Sequence, residues 1–274
     1  MNEDVVRALV RAMDAGERTA LVTIVSTSGS TPQRVGARML VWEDGRTVGT
    51  IGGGCYENDA SGKAREAIRA SRPQLVRYSL NDELAAESGL ICGGMMEVFI
   101  EPVVPTPDLY LLGAGHVSME VARVASATGF RVHVVDDREK FANSDRFPGA
   151  EVVVDDVPSW LEAAAIPPDA FVAVVTRGHR HDFEAVRALV RRPLRYLGLI
   201  GSRAKVLRIF EALESEGVPP AALEAVHAPI GLDIGAVTPA EIAVSIVAEL
   251  VAVRSGRIAD PRVADAALRA SLRR

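Results

Sequence analysis

Apolar and polar positions in the first part of the chain follow two patterns. One set of apolar residues recurs at helical spacing behind Asn2 and predicts an N-terminal helix: Val6, Leu9, Val10 and Met13. A second helical segment is predicted at residues 57–70. Short β-branched runs predict strands at residues 20–26, 38–42, 47–51, 75–80 and 95–101. This mixture predicts an α+β domain.

Beyond residue 108 the pattern changes to short, fully apolar runs that alternate with helical segments. The runs predict strands at residues 109–112, 131–135, 151–154, 170–175 and 195–199. Strands that alternate with helices in this way predict a doubly wound α/β domain with a parallel sheet. Three prolines at residues 102–107 predict a stiff connector. We therefore place domains at residues 1–101 and 109–274, with a linker at residues 102–108.

Three consecutive glycines, Gly52, Gly53 and Gly54, precede Cys55 where a strand-like run gives way to a helical one. Glycine permits a positive φ and leaves room for a ligand against the main chain. A helix N-terminus favours the thiolate form of a cysteine. These residues are compatible with a turn that binds a ligand. They are equally compatible with a plain turn beside a buried cysteine, because free cysteine is commonly buried.

Two other polar segments are candidates for the same site. The loop at residues 27–36 carries hydroxyl groups, including that of Ser30, and the guanidinium of Arg34, which suit a phosphate or another anion. A solvated turn is the alternative. Cys92 is followed by paired glycines, so we expect both cysteine-glycine loops to meet at one end of a sheet and line one pocket. Because the spacing is not Cys-x-x-Cys, a thiolate ligand or nucleophile is favoured over a redox pair.

The second domain opens with a dinucleotide-binding order. Gly113 and Gly115 follow the first strand directly, and His116 lies where the next helix starts. Asp136 ends the second strand about 20 residues after the glycines, as the fingerprint requires. Ser118 stands where the third glycine is expected, which weakens the case for a bound dinucleotide but not for the fold. We expect a Rossmann-like fold with these glycines, His116 and Asp136 as candidate nucleotide-binding residues.

Two later strand ends also carry polar residues. His179, His181 and Asp182 follow the strand at residues 170–175 and could bind a metal or transfer a proton. A polar surface loop before a helix that starts at Asp182 is equally compatible with them. Residues 201–205 place basic side chains at the start of a helix, an arrangement that suits an anion.

The composition of the chain excludes several classes of protein. The chain has 274 residues, 48% hydrophobic and 24% charged, which is typical of a globular protein. A net charge of −5 provides no electrostatic footprint for nucleic acid or an anionic membrane surface. Two cysteines are too few for a disulfide scaffold or a four-ligand zinc site. Without a signal peptide or a long apolar run, we expect a cytoplasmic protein that binds a small molecule or another protein.

These motifs resemble, in one order, those of the XdhC/CoxI family, accessory proteins of molybdenum hydroxylases such as xanthine dehydrogenase and aerobic carbon monoxide dehydrogenase. The resemblance extends over about residues 5–256. Its marks in the first domain are residues 29–32, 36–39, 49–57, 92–94 and 101–102. In the second domain they are residues 113–117, 136–138, 198–203 and 229–235.

The resemblance implies an N-terminal XdhC/CoxI-type cofactor-handling domain followed by the Rossmann-like domain. It implies a chaperone that binds the molybdenum cofactor while a terminal sulfur is installed and then delivers it to an apo-hydroxylase. Implied partners are the hydroxylase client, a cysteine desulfurase and a second copy in a homodimer. The cysteine on which binding depends in the family matches Cys55, here also the candidate metal ligand. Further candidate cofactor-binding residues are Gly52, Gly53, Gly54, Glu57, Cys92, Arg34 and Ser30.

No catalytic residue is expected for such a chaperone. The alternative is an NAD(P)-dependent oxidoreductase, or a xanthine dehydrogenase-associated subunit, that uses the Rossmann-like domain. Two cysteines cannot hold an iron–sulfur cluster, which takes about four.

Overall fold

The computed structural model describes residues 2–80 and 94–257, and the chain divides into two compact units between Pro105 and Thr106. Cys92 lies outside the described residues. Within these ranges no helix combines the length and the apolar character that crossing a bilayer requires.

The N-terminal unit is built on a five-stranded antiparallel sheet in the order β3-β2-β1-β5-β4. Its elements are α1 (Asn2–Asp14), β1 (Thr19–Ser28), β2 (Arg38–Trp42), β3 (Thr47–Gly49), α2 (Gly54–Ala70), β4 (Gln74–Ser79) and β5 (Met95–Val103). The predicted α+β character of this domain is confirmed.

Alternate residues of β2 separate the two faces of this sheet. Met39 and Val41 are buried in one apolar cluster with Tyr56 and Ala60 of α2. Leu40 and Trp42 are buried in another with Val5, Ala8 and Ala12 of α1. A strand directs successive side chains to opposite faces, so each helix covers one face.

The connector between the units is shorter than predicted, because β5 continues through Val103. Pro102 pairs with Ala20 of β1, whereas β4 pairs with β5 only as far as Ile100. At Pro102 the strand therefore has one neighbour among the described strands, a position that tolerates proline. The next strand starts at Asp108, so residues 104–107 alone lie between the two strands.

The C-terminal unit is built on a six-stranded parallel sheet in the order β11-β10-β9-β6-β7-β8. Its first elements are β6 (Asp108–Leu112), α3 (His116–Ala127), β7 (Arg131–Val135), β8 (Glu151–Val153), α4 (Val157–Ala163) and β9 (Phe171–Val174). The remaining elements are α5 (His179–Leu189), β10 (Tyr196–Leu199), α6 (Arg203–Ser215), α7 (Pro220–Glu224), β11 (Val226–His227) and α8 (Pro239–Arg254). The predicted Rossmann-like, doubly wound fold is confirmed.

Helices cover both faces of this sheet. One apolar cluster joins Leu109 and Leu111 of β6 to α3 and α8. The other joins Leu112 of β6 and Val172 of β9 to α4, α5, α6 and α7. The strand order reverses at β6, which lies between β7 and β9, so a crevice opens at the carboxyl ends of β6 and β9 where such sheets bind ligands.

Candidate functional site

The triple-glycine turn links β3 to α2. Gly52, Gly53 and Gly54 have φ of 131°, 76° and 71°, which only glycine adopts easily. Helix α2 begins at Gly54, earlier than predicted, so Cys55 lies in its first turn. The thiol of Cys55 is free and partly exposed. The turn is therefore strained for any other residue and presents a reachable thiol.

The carboxylate of Glu57 organises this turn. Its Oε2 accepts hydrogen bonds from the Thr50 hydroxyl, from Ile51 N at 2.9 Å and from Gly53 N at 3.0 Å. Burial raises the pKa of Glu57, but these hydrogen bonds outweigh burial and hold the pKa below its usual value. The ionised carboxylate thus occupies the place between two peptide N–H groups that a bound anion would otherwise take.

The polar loop after β1 packs against the glycine turn. A Cβ atom on Gly52 would lie 2.6 Å from Cγ of Pro32, so the close approach of this loop requires glycine. At its other side, a Cβ on Gly94 would collide with the carbonyl oxygen of Ser30. Gly94 is the last residue of the second cysteine-glycine segment, and the loop therefore contacts Gly94 as well as the turn that carries Cys55.

Ser30 and Arg34 of this loop are both exposed. Within the part of the chain that the structure describes, no carboxylate pairs with Arg34. The loop is held by the hydroxyl of Thr31, which donates to the carbonyl of Gln33 at 2.8 Å. Both predicted anion-binding side chains are thus accessible from solvent.

The space beside Gly53, two residues before Cys55, is open. No heavy atom lies within 4 Å of the position that a Cβ on Gly53 would take. The N-cap residue of α2 is Gly53, which has no side chain of its own to cap the helix. A partly exposed thiol in the first turn of a helix suits a soft metal ligand or a nucleophile.

Gly113 follows β6 at the point where the strand order of the second unit reverses. It allows the chain to pass close to the end of β9. Its φ is 116°, and a Cβ there would collide with the carbonyl oxygen of Val175. Gly115 is the N-cap residue of α3, and exposed His116 begins the helix. Ser118, in the place of the third glycine, is 1% exposed, and its Oγ has no hydrogen-bond partner among the described residues. The helix therefore accommodates a serine against the sheet.

The carboxylate of Asp136 is buried and fully engaged. Its Oδ2 accepts from Ala114 N at 2.7 Å and from Nη2 of Arg138 at 2.8 Å. Its Oδ1 accepts from the backbone N of Arg138 at 3.0 Å and from Nε at 2.8 Å. Burial raises the pKa of Asp136, but these contacts outweigh burial and lower the pKa to about 2. The acid of the predicted fingerprint thus ties the glycine turn to β7.

Helix α5 begins at His179 and not at Asp182 as the sequence suggested, because Gly178 serves as its N-cap residue. His179, His181 and Asp182 therefore share the first turn of the helix. Across residues 2–80 and 94–257, no three or more His, Cys, Asp or Glu side chains are grouped in a way that could hold a metal ion.

Asp182 is completely buried and pairs with Lys205 of α6. It also accepts a hydrogen bond of 2.7 Å from the Thr176 hydroxyl, and Nζ of Lys205 donates to the carbonyl of Ile200 at 3.1 Å. Lys205, one of the basic residues predicted to bind an anion, therefore forms an ion pair with a carboxylate. The pair links the loops that follow β9 and β10.

Sequence reasoning missed a buried cluster around Glu249 of α8. Its Oε2 accepts from the Tyr196 hydroxyl at 2.6 Å and from Gly231 N at 2.7 Å, and its Oε1 lies 2.9 Å from Nδ1 of His227. Burial raises the pKa of Glu249, but the contacts with His227 and Tyr196 outweigh it and lower that pKa. The one sign of this cluster in the sequence was the acidic residue Glu249 within the apolar run of α8. The cluster holds the loop after β11 on this helix.

Comparisons with known proteins agree with this architecture. Residues 12–79 match the model of the XdhC and CoxI family, and residues 109–250 match the model of the XdhC Rossmann domain. The uncharacterized protein YqeB of Escherichia coli strain K12 is 38% identical over 86% of this chain, which spans 43% of the length of YqeB.

Two further relatives align over most of both sequences. A Bacillus subtilis strain 168 protein, named as a probable xanthine dehydrogenase subunit, is 27% identical over 87% of this chain and 94% of its own. The "Molybdenum cofactor insertion chaperone PaoD" of Escherichia coli strain K12 is 24% identical over 91% of this chain and 88% of its own. With one family model matched in each unit and in the same order as the folds, the chain belongs to the XdhC and CoxI family.

Proposed function

We propose that the N-terminal unit binds the molybdenum cofactor at Cys55 and delivers it to an apo molybdenum hydroxylase. The observation that carries this proposal is the free, partly exposed thiol of Cys55 behind three glycines with positive φ. One relative is named as a molybdenum cofactor insertion chaperone and another as part of a xanthine dehydrogenase, and both names support the same class of cargo and client.

Each candidate residue has a distinct role in this proposal. The sulfur of Cys55 either coordinates molybdenum or relays sulfur, and both roles need the partly exposed thiol in the first turn of α2. Ser30 and Arg34 hold the phosphate of the pterin, since the peptide N–H groups of Ile51 and Gly53 are already engaged by Glu57. Cys92 is proposed as a second contact because Gly94 packs against the carbonyl oxygen of Ser30.

Delivery requires an accessible, exchangeable site. The open space beside Gly53 and the exposure of Arg34 support such a site. We propose that the client is a hydroxylase of the xanthine dehydrogenase or carbon monoxide dehydrogenase type and that a cysteine desulfurase supplies the sulfur. Action as a homodimer in the cytoplasm completes the proposal.

The proposal is tested by isolating the protein with its cargo. Wild-type protein from cells that make the cofactor should retain molybdenum and pterin and co-purify with a hydroxylase. Cys55→Ala should lose both molybdenum and pterin, whereas Asn58→Ala, which changes an exposed residue of the same helix, should retain them. Normal cofactor content in the Cys55→Ala protein would overturn the proposal.

Nucleotide binding by the C-terminal unit is a second candidate function. The crevice at the ends of β6 and β9, with Gly113 forced against Val175 and Gly115 at the start of α3, favours it. Such a site would serve an NAD(P)-dependent oxidoreductase or a protein that works with xanthine dehydrogenase. Titration with NADH and NADPH, followed by fluorescence and by turnover, tests it. Absence of binding at millimolar concentration removes it.

A further inference from the structure

Two arginines contact one aromatic ring immediately after β7. The guanidinium carbon of Arg138 lies 4.1 Å from the centre of the Phe141 ring, and that of Arg146 lies 5.1 Å from it. We infer that these arginines recognise a phosphate on the ribose of a bound nucleotide, so that the C-terminal unit binds a 2′-phosphorylated dinucleotide such as NADPH in preference to NADH. This inference rests on the nucleotide-binding candidate above and specifies the nucleotide.

Asp136 is not available to an unphosphorylated ribose. In dinucleotide-binding folds the acid at this strand end accepts hydrogen bonds from the ribose hydroxyls, whereas a nearby arginine accommodates a 2′-phosphate. Here Asp136 is 4% exposed, and both of its oxygens accept hydrogen bonds from Arg138, with Ala114 N as a further donor. A ribose diol would have to displace Arg138 from this carboxylate.

A phosphate needs no such displacement. A guanidinium carries five N–H groups, and the contacts of the Arg138 side chain with Asp136 use Nε and Nη2. Nη1 takes no part in those contacts, and the side chain is 27% exposed. Arg138 can therefore hold Asp136 and donate to a phosphate oxygen at the same time.

Arg146 supplies a charge that no carboxylate balances. Its Nε donates to the carbonyl of Phe141 at 3.1 Å, and its Nη2 lies 3.4 Å from the carbonyl of Ala114 in the glycine turn. Among residues 94–257, no carboxylate forms an ion pair with Arg146. A partly buried guanidinium fixed by neutral carbonyl groups retains its full attraction for an anion.

Two ion pairs lie beside these arginines. Asp136 pairs with Arg138, and Asp137 pairs with Arg177 at 2.8 Å. The guanidinium of Arg146 forms no such pair among the described residues, so it can attract a phosphate dianion more strongly than a neutral hydroxyl group.

The test compares nucleotides that differ only in the 2′-phosphate. We expect the protein, with both of its units present, to bind NADPH and adenosine 2′,5′-bisphosphate at least about tenfold more tightly than NADH and AMP. Calorimetry at low salt measures the affinities, and a charge-assisted contact is worth roughly that factor. Equal affinity for NADPH and NADH would overturn this inference and leave nucleotide binding standing. Absence of binding by all four nucleotides would overturn both.

Substitutions of Arg146 test whether this side chain causes the preference for NADPH. Arg146→Gln should lower NADPH affinity to near that for NADH, while Arg146→Lys should keep part of the preference because the charge remains. Arg123→Gln is the matched control, since this exposed arginine of α3 pairs with Glu120. Thermal unfolding verifies that each variant is folded. If Arg146→Gln weakens NADPH and NADH equally, the side chain contacts the shared pyrophosphate and the inference fails.

Discussion

The carboxylate of Asp136 accepts a 2.7 Å hydrogen bond from the backbone N–H of Ala114, across 22 residues of chain. The same group pairs with Arg138 at 2.8 Å. The end of β7 is thereby fastened to the glycine turn after β6, at the crevice where the sheet order reverses. The shape of that crevice thus depends on one partly buried ion pair.

Replacing Asp136 with asparagine should destabilise the C-terminal unit by roughly 2–4 kcal/mol, because Arg138 would lose its partner and Ala114 N its charged acceptor. Urea unfolding followed by circular dichroism measures the change. Asp145→Asn, at an exposed position nearby, should alter the free energy of unfolding by no more than about 0.5 kcal/mol. Equal effects of the two substitutions would contradict the role given to Asp136.

The same carboxylate should make stability depend on acid. The pKa of Asp136 falls from 3.8 to about 2 on folding, so its contribution is complete above about pH 4 to 5 and is lost as the pH falls toward 2. That lowering of the pKa corresponds to about 2 kcal/mol of stabilisation by the ionised carboxylate. The difference in unfolding free energy between wild type and Asp136→Asn should therefore shrink over this acid range. A constant difference would show that the stabilisation does not come from the ionised group.

Gly52→Ala should distort the turn that presents Cys55. A φ of 131° is unfavourable for alanine, and the new Cβ would lie 2.6 Å from Pro32. We expect a loss of about 1–3 kcal/mol in unfolding free energy together with reduced molybdenum content. Gly62→Ala is the control, since Gly62 lies inside α2 with open space around it. That substitution should stabilise the helix by about 0.5–1 kcal/mol.

Glu57→Gln should loosen the glycine turn without removing the thiol. The amide carries no charge and accepts more weakly from Thr50, Ile51 and Gly53, so we expect a loss of about 1–2 kcal/mol near neutral pH. The pKa of Glu57 is lowered on folding, so this loss should diminish as the pH falls below about 4.5. Glu66→Gln, an exposed change in the same helix, is the control.

Glu249→Ala should cost more than Tyr196→Phe. The first leaves Tyr196, His227 and Gly231 N without their shared acceptor inside the core, at about 2–4 kcal/mol, whereas the second removes one hydrogen bond, at about 1 kcal/mol. Denaturant unfolding of both variants gives the comparison. A larger loss from Tyr196→Phe than from Glu249→Ala would contradict the role of the carboxylate as the shared acceptor of this cluster.

Several elements followed from local pattern alone. The strands at residues 38–42 and 131–135 lie where predicted, since short runs of β-branched and apolar residues mark them. The starts of α2 and α5 did not follow. Each begins after a glycine N-cap, Gly53 or Gly178, which has no side chain to signal the start.

The sequence by itself determined the two folds, the glycine turns and the position of Cys55 close to a helix start, because period, turn chemistry and spacing are local properties. Only the tertiary structure decided what each charged group contacts. Asp136 is engaged by Ala114 and Arg138, Glu57 fills the turn in which a ligand was expected, and Glu249 joins two distant segments. The partner of a carboxylate depends on which strands and helices pack together, and the order of residues along the chain does not contain that distance.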